Sequence, residues 1–230
     1  MKEPYILVAS FILSLSIAAS GYFIEQGLES RNYFNRYVSV KGLAEQPVKS
    51  DQAIWQLTIA YNANDLSEVY TGIANGQEAI KAFWVNQGFS AADVNLQPTS
   101  VNDNSTYNAN HGLRYTAQTT LILTSTDVDK ISAASQQMNI LASKNILLNG
   151  SSITYSFTQL NNIKPQMLDE ATSNAETAAQ AFSKNSHSHL NGIRNASQGQ
   201  FTISDDNNSG MSSITKKVRV VTSVEYFLKD

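Results

Sequence analysis

Alternation with a period of two runs through four stretches of this chain and limits the fold more than any other feature. Trp55, Leu57, Ile59 and Tyr61 occupy every second position. Leu113, Tyr115, Ala117, Thr119, Leu121 and Leu123 do the same against Arg114, Thr116, Gln118 and Thr120. Near the end, Val218, Val220, Thr222, Val224, Tyr226 and Leu228 repeat the pattern. A shorter version at Tyr37–Gly42 stops at the glycine and leads through Pro47 to the Trp55 run. Successive side chains of a strand point to opposite faces, so each run reads as a strand with one face in a core.

Helical spacing fills the gaps. Asp65 is placed to cap a helix with Glu68 three residues on, and Gly88 follows its end. Between them Leu66, Val69, Tyr70, Ile73, Ile80, Phe83 and Trp84 form the expected buried stripe. Gly72 and Gly76 cost this helix roughly 1 kcal/mol each relative to alanine, and they let a neighbour approach closely. A strand is expected near Ala92–Val101, then a polar loop from Asn102 to His111. Thr126 is expected to open a second helix, with Asp129 at the capping-box position and Val128, Ile131, Met138 and Leu141 inside.

The order then recurs. Ser151–Phe157 reads as a strand, and Pro165 suits the first turn of a helix. Its stripe is Met167, Leu168, Ala171, Ala175, Ala178, Ala179 and Phe182. A strand near Ile193–Ile203 and an Asx-rich loop at Ser204–Ser213 follow. Even Lys81-Ala82-Phe83 is echoed by Gln180-Ala181-Phe182. The expected architecture is α+β, with two strand–helix–strand–strand units of mainly antiparallel sheet. These pseudo-repeats cover about 37–124 and 151–230, bridged by the Thr126–Leu141 helix.

Tyr5–Ile24 carries no charge, between Lys2 and Glu25. About 20 apolar residues cross a bilayer core. Ser10, Ser14, Ser16 and Ser20 can return their hydroxyls to the helix backbone. Residues 1–24 are therefore expected to form one N-terminal transmembrane helix, 25–36 a polar linker and 37–230 an α+β domain outside the cytoplasm. The alternative is a cleaved signal, with Ala18 and Ser20 as the small residues of a cleavage site before Gly21.

The chain has no cysteine, which excludes disulfides, thiolate metal sites and a cysteine nucleophile. A net charge of −3, with Lys216, Lys217 and Arg219 as the one basic cluster, gives no footprint for nucleic acid. No nucleophile elbow, phosphate loop, dinucleotide fingerprint or zinc-protease helix motif occurs. His187 and His189 would share a face in a strand and could hold a transition metal, but no third ligand is near and His111 adds little. Asp205-Asp206-Asn207-Asn208 before Gly210, and Asn102-Asp103-Asn104 in the first half, offer oxygens to calcium at spacings that do not match an EF-hand; such residues also favour plain turns. Asp169 and Glu170 are adjacent on a helix and cannot act jointly. Trp55, Tyr61, Phe83 and Trp84 are expected in the core, or else around an apolar ligand cleft near Trp55 or Trp84. No catalytic, cofactor-binding or metal residue is assigned.

The run Arg36-Tyr37-Val38-Ser39-Val40-Lys41-Gly42-Leu43-Ala44-Glu45, then Val48-Lys49-Ser50-Asp51 and the Trp55 strand, resembles the opening of SIMPL-domain bacterial envelope proteins. Leu160-Asn161-Asn162-Ile163-Lys164-Pro165, Ile193-Arg194-Asn195-Ala196-Ser197-Gln198-Gly199 and Lys216-Lys217-Val218-Arg219-Val220-Val221-Thr222 extend the likeness over nearly all of Tyr37–Asp230. It is similar above all to the membrane-anchored branch. The resemblance implies an α+β fold, a periplasmic or cell-surface location and assembly into homo-oligomers. Some relatives are linked to oxidative-stress tolerance, and the family has no agreed catalytic residues to carry over. The expected function is thus a non-enzymatic, membrane-tethered scaffold or stress-related accessory factor. An extracytoplasmic small-ligand-binding module is the alternative, ahead of a hydrolase or metal enzyme.

Overall fold

The computed structural model describes residues 11, 13–25, 36–106, 112–142, 144, 146–207 and 212–229. Helix α1 covers 13–25. Then come β1 (Tyr37–Lys49), β2 (Gln52–Ala63), α2 (Leu66–Asn86), β3 (Val94–Leu96), β4 (Ser100–Asp103) and β5 (Tyr115–Ser125). The rest is α3 (Val128–Ser135), α4 (Asn139–Ala142), β6 (Leu148–Ser156), α5 (Leu160–Asn185), β7 (His189–Gln198), β8 (Thr202–Asp205) and β9 (Thr215–Lys229). The fold is α+β. The chain divides into two compact units, each drawn from separated segments: Met1–Glu45, Ile163–Thr202 and Arg219–Asp230 in one, Gln46–Asn162 and Ile203–Val218 in the other.

The larger unit is a five-stranded sheet of order β3-β5-β2-β6, with β4 also on β5. β2 pairs antiparallel with β5 from Ala53↔Ser125 to Ala63↔Tyr115, and with β6 from Gln52↔Ser156 to Ile59↔Leu148. Trp55, Leu57 and Ile59 stand on its inner face, all buried, beneath Val69, Ile80 and Trp84 of α2. The expected strand at Ala92–Val101 is broken into β3 and β4 by Gln97–Thr99. Pro98 has no N–H for a ladder, so pairing stops there and resumes at Ser100.

α2 starts and ends as its sequence indicates. The Asp65 carboxylate accepts from Ser67 N at 2.8 Å and Glu68 N at 3.3 Å. At the other end Gly88, at φ +84°, lets its N–H reach Val85 O while Phe89 N–H reaches Trp84 O, a Schellman ending. Leu66 and Tyr70 are exposed rather than buried, because the stripe facing the sheet runs through Val69, Ile73, Gly76, Ile80, Phe83 and Trp84. The helix expected over Thr126–Leu141 is two short ones. Asp127, not Thr126, caps α3 through Lys130 N at 3.0 Å, and a carboxylate is the stronger acceptor there.

In the smaller unit the sheet order is β1-β9-β7. Gly42 does not stop β1; the strand continues to Lys49. The glycine serves close packing instead. A Cβ on Gly42 would lie 1.8 Å from Ala171 O and 2.6 Å from Ala175 N, so the α5 backbone rests almost directly on the strand. That approach requires the stripe Met167, Ala171, Ala175, Ala179 and Ser183, spaced by four and mostly alanine. Phe182 falls off this stripe and is 59% exposed, unlike Phe83 in α2. Pro165 sits inside α5 rather than in its first turn, since the helix begins earlier, at Leu160. The Asp51 carboxylate holds that start by accepting from Thr158 N, Thr158 Oγ1 and Gln159 N.

The transmembrane helix expected over Tyr5–Ile24 is not matched by a described helix. Among the described residues no helix is long and apolar enough to cross a membrane. Residues 13–25 reach about 20 Å at 1.5 Å per residue, against roughly 30 Å of hydrocarbon core. Positions 5–10 and 12 of the expected span, and the linker 26–35, lie outside the described residues.

Replacing Gly42 with alanine is expected to destabilise the protein by more than about 2 kcal/mol, since backbone of α5 must move. Gly192→Ala, where nothing lies within 4 Å of the new Cβ, should stay within about 0.5 kcal/mol. Urea unfolding of the two variants beside the parent checks both values.

Candidate functional site

The acidic residues of the Asx-rich loops, weighed as calcium ligands against plain turns, are engaged by the chain's own cations. Lys216, almost wholly buried, donates from Nζ to Asp205 Oδ1 at 2.5 Å and to Ser212 Oγ at 3.3 Å. Asp205 Oδ1 also accepts from Ser213 N at 2.6 Å. The Lys216 ammonium beside Asp205 holds that carboxyl below its usual range, helped by the Ser213 N–H. Lys217 pairs with Asp206 at 3.3 Å and Arg219 with Glu45 at 3.4 Å. The small basic cluster of the sequence is thus neutralised residue by residue. Asn208 and Gly210 lie outside the described residues.

The matching loop behaves alike. Arg114 grips Asp103 through Nε and Nη2, the latter at 2.9 Å, and holds its carboxyl far below the ordinary range. Asn104 Nδ2 donates to Leu113 O and Thr116 Oγ1. His187 is not in a strand: it sits in a turn at φ 54°, and only His189 belongs to β7, so the shared face required for a metal pair is missing. His111 lies outside the described residues, and among those described no three metal-ligating side chains cluster. Asp169 and Glu170 are both exposed on α5.

Trp55, Phe83 and Trp84 lie in the core as expected, and the alternative cleft near Trp55 or Trp84 is closed. Both indoles are fully buried, with Trp55 edge-on to Phe83 at 6.1 Å and to Trp84 at 5.7 Å. Trp55 Nε1 donates to Ser151 Oγ at 3.2 Å. Tyr61, expected with them in the core, is exposed instead. Its ring lies against Gly72, where a Cβ would come within 2.5 Å of it, and Ile59 Cδ1 occupies the matching place at Gly76.

A cleft does open at that end of β2. It has a volume of about 690 Å³, between the β2 residues Ile59–Asn62, the first half of α2 and the chain at Lys144, Ile146 and Leu147. This size falls in the range of small-ligand sites, roughly 300–1,000 Å³. It exists because β6 begins only at Leu148, opposite Ile59, so β2 runs on with β5 alone. Tyr61 and the glycines of α2 were its sequence signals; Asn62 and Lys144 carried none, and Glu68 read only as a capping residue.

Asp205→Asn should cost about 1–2 kcal/mol at neutral pH, less than a fully buried pair because Asp205 is about one-third exposed. The sign follows from the lowered carboxyl. Its stabilisation is complete above the unfolded value of about 4 and is lost as pH falls through the folded value. Acid titration of thermal stability should therefore show a shallower slope below about pH 4 in the variant. With both acidic loops already ion-paired, millimolar calcium should leave the thermal midpoint of the parent unchanged.

No curated protein matches the chain. Its family does: from residue 38 to 226, spanning β1 to β9, it matches SIMPL, described as a protein of unknown function (DUF541), and the chain belongs to that family.

Proposed function

We propose that the protein is a non-enzymatic envelope component whose body self-associates in the periplasm, tethered to the inner membrane by its N-terminal segment. Its role is that of a scaffold or stress-related accessory factor. The observation that carries this reading is the outer face of the β1-β9-β7 sheet, opposite α5. α5 buries one face through Val40, Val224 and Tyr226. The opposite face leaves Tyr37 and Leu43 exposed and Val221 and Phe227 half-buried. β7, at the edge, is exposed along nearly its whole length. An antiparallel sheet with exposed apolar side chains among the polar ones of its outer face, and an exposed edge strand, is suited to pairing with another copy.

The non-enzymatic reading is supported by the electrostatics. The carboxyls that depart from ordinary values, Asp65, Asp103 and Asp205, are each held by a cap or a salt bridge. Tyr155 and Tyr226 are pushed up by burial. Catalytic groups are perturbed toward the working pH, whereas these acids are perturbed away from it.

The anchor is supported by the uncharged run Tyr5–Ile24 and by α1 itself. Leu13, Leu15, Ile17, Phe23 and Ile24 are all exposed on it. The hydroxyls of Ser14, Ser16 and Ser20 donate to carbonyls of the same helix at 2.8–2.9 Å, which removes the cost of placing them in lipid.

Full-length protein should sediment with membranes and resist alkaline carbonate. Leu15→Arg combined with Ile17→Arg should release it or block export, each arginine costing about 3 kcal/mol at mid-bilayer. Native mass spectrometry from detergent should show a discrete multimer. A soluble parent would refute the tether, and a monomer at micromolar concentration would refute the scaffold.

A further inference from the structure

We infer that the cleft beside the end of β2 binds a short peptide with free ends, a zwitterion of extended backbone and apolar side chains. The inference stands apart from self-association, since it uses the larger unit alone. Three observations converge on this class.

The first is an unused piece of strand edge. Ala60 N–H points away from β5 and donates to Leu147 O at 3.3 Å, the last bond on that side of β2 among the described residues. By strand alternation the N–H and C=O of Asn62 point the same way, and Asn62 has no partner there among the described residues. An extended peptide laid along this edge would exchange two backbone bonds with Asn62, continuing the line that β6 leaves.

The second is charge. Glu68, in the first turn of α2, and Lys144, after α4, both line the cleft and both are exposed. Among the described residues neither side chain has an ion pair or hydrogen bond, whereas the acidic loops and the Lys216–Arg219 cluster are neutralised within the chain. One free carboxylate and one free ammonium in a single cleft match the two ends of a zwitterion.

The third is the apolar wall. Tyr61, Leu113 and Leu147, each at least 36% exposed, gather in this cleft beside Ile59 and Ile146. Single exposed apolar residues are ordinary; here they gather in the same cleft as both charges.

The test uses the full-length chain in detergent, with the dipeptide leucyl-leucine as probe and its N-acetylated, C-amidated form as control, followed by calorimetry. Saturable binding of the free dipeptide is expected, with loss of about tenfold or more in affinity on blocking both ends or in Glu68→Lys and Lys144→Glu. Both positions are on the surface, so the variants fold. No saturable binding up to about 10 mM would overturn the proposal, as would equal binding of the blocked peptide or unchanged affinity in both variants. Weaker binding in only one variant would overturn the two-ended reading, because a single charge then suffices.

Discussion

Removal of the inner face of β2 from water is the interaction on which the larger unit is built. Trp55, Leu57 and Ile59 project from a strand that is paired on both sides, so their position is fixed by β5 and β6. α2 then needs only its own apolar stripe to find the sheet, and Phe83 and Trp84 meet Trp55 edge-on. Each large side chain so buried contributes about 1.5–3 kcal/mol. Trp55 satisfies its N–H on Ser151, whereas Trp84 Nε1 is buried with no partner among the described residues. That omission costs about 1–3 kcal/mol, which the burial of the ring offsets.

The smaller unit is stabilised by closeness rather than bulk. Its core is Val40, Val224 and Tyr226 against alanines, and the gain comes from the short distance between α5 and β1 that Gly42 allows. One face of its sheet is thereby committed to the helix. The other presents aromatic and aliphatic groups, with Arg194 lying over the Tyr37 ring at 4.0 Å and pairing with Glu225 at 3.4 Å. Structure and proposed function meet on this sheet: one face packs on α5, and the proposal assigns self-association to the other.

Strand periodicity and helix caps were legible in the sequence because both are local. The alternation around Trp55 and Leu121, the Asp65 cap and the Gly88 ending each depend on residues a few positions apart. What could not be read was long-range. Gly42 looks like a strand end until a helix some 130 residues later is laid on it. Asp205 and Lys216 read as parts of a turn and of a small basic cluster, and their pairing appears only when β8 and β9 bring them together. Tyr61 alternates with the core residues, yet it lies beyond the reach of β6 and faces a cleft. Chemistry-bearing residue types were therefore visible, while their partners, which decide whether they are reactive, were not.

Hydrogen exchange of the full-length protein, followed across a concentration series, tests the central claim that the smaller unit's sheet is an assembly surface. Between Ile193 and Gln198 the β7 amides that point away from β9 sit at an exposed edge and should exchange quickly in dilute protein. As concentration rises they should become protected, while amides of the larger unit stay constant. Exchange in β7 that does not change with concentration would contradict the account.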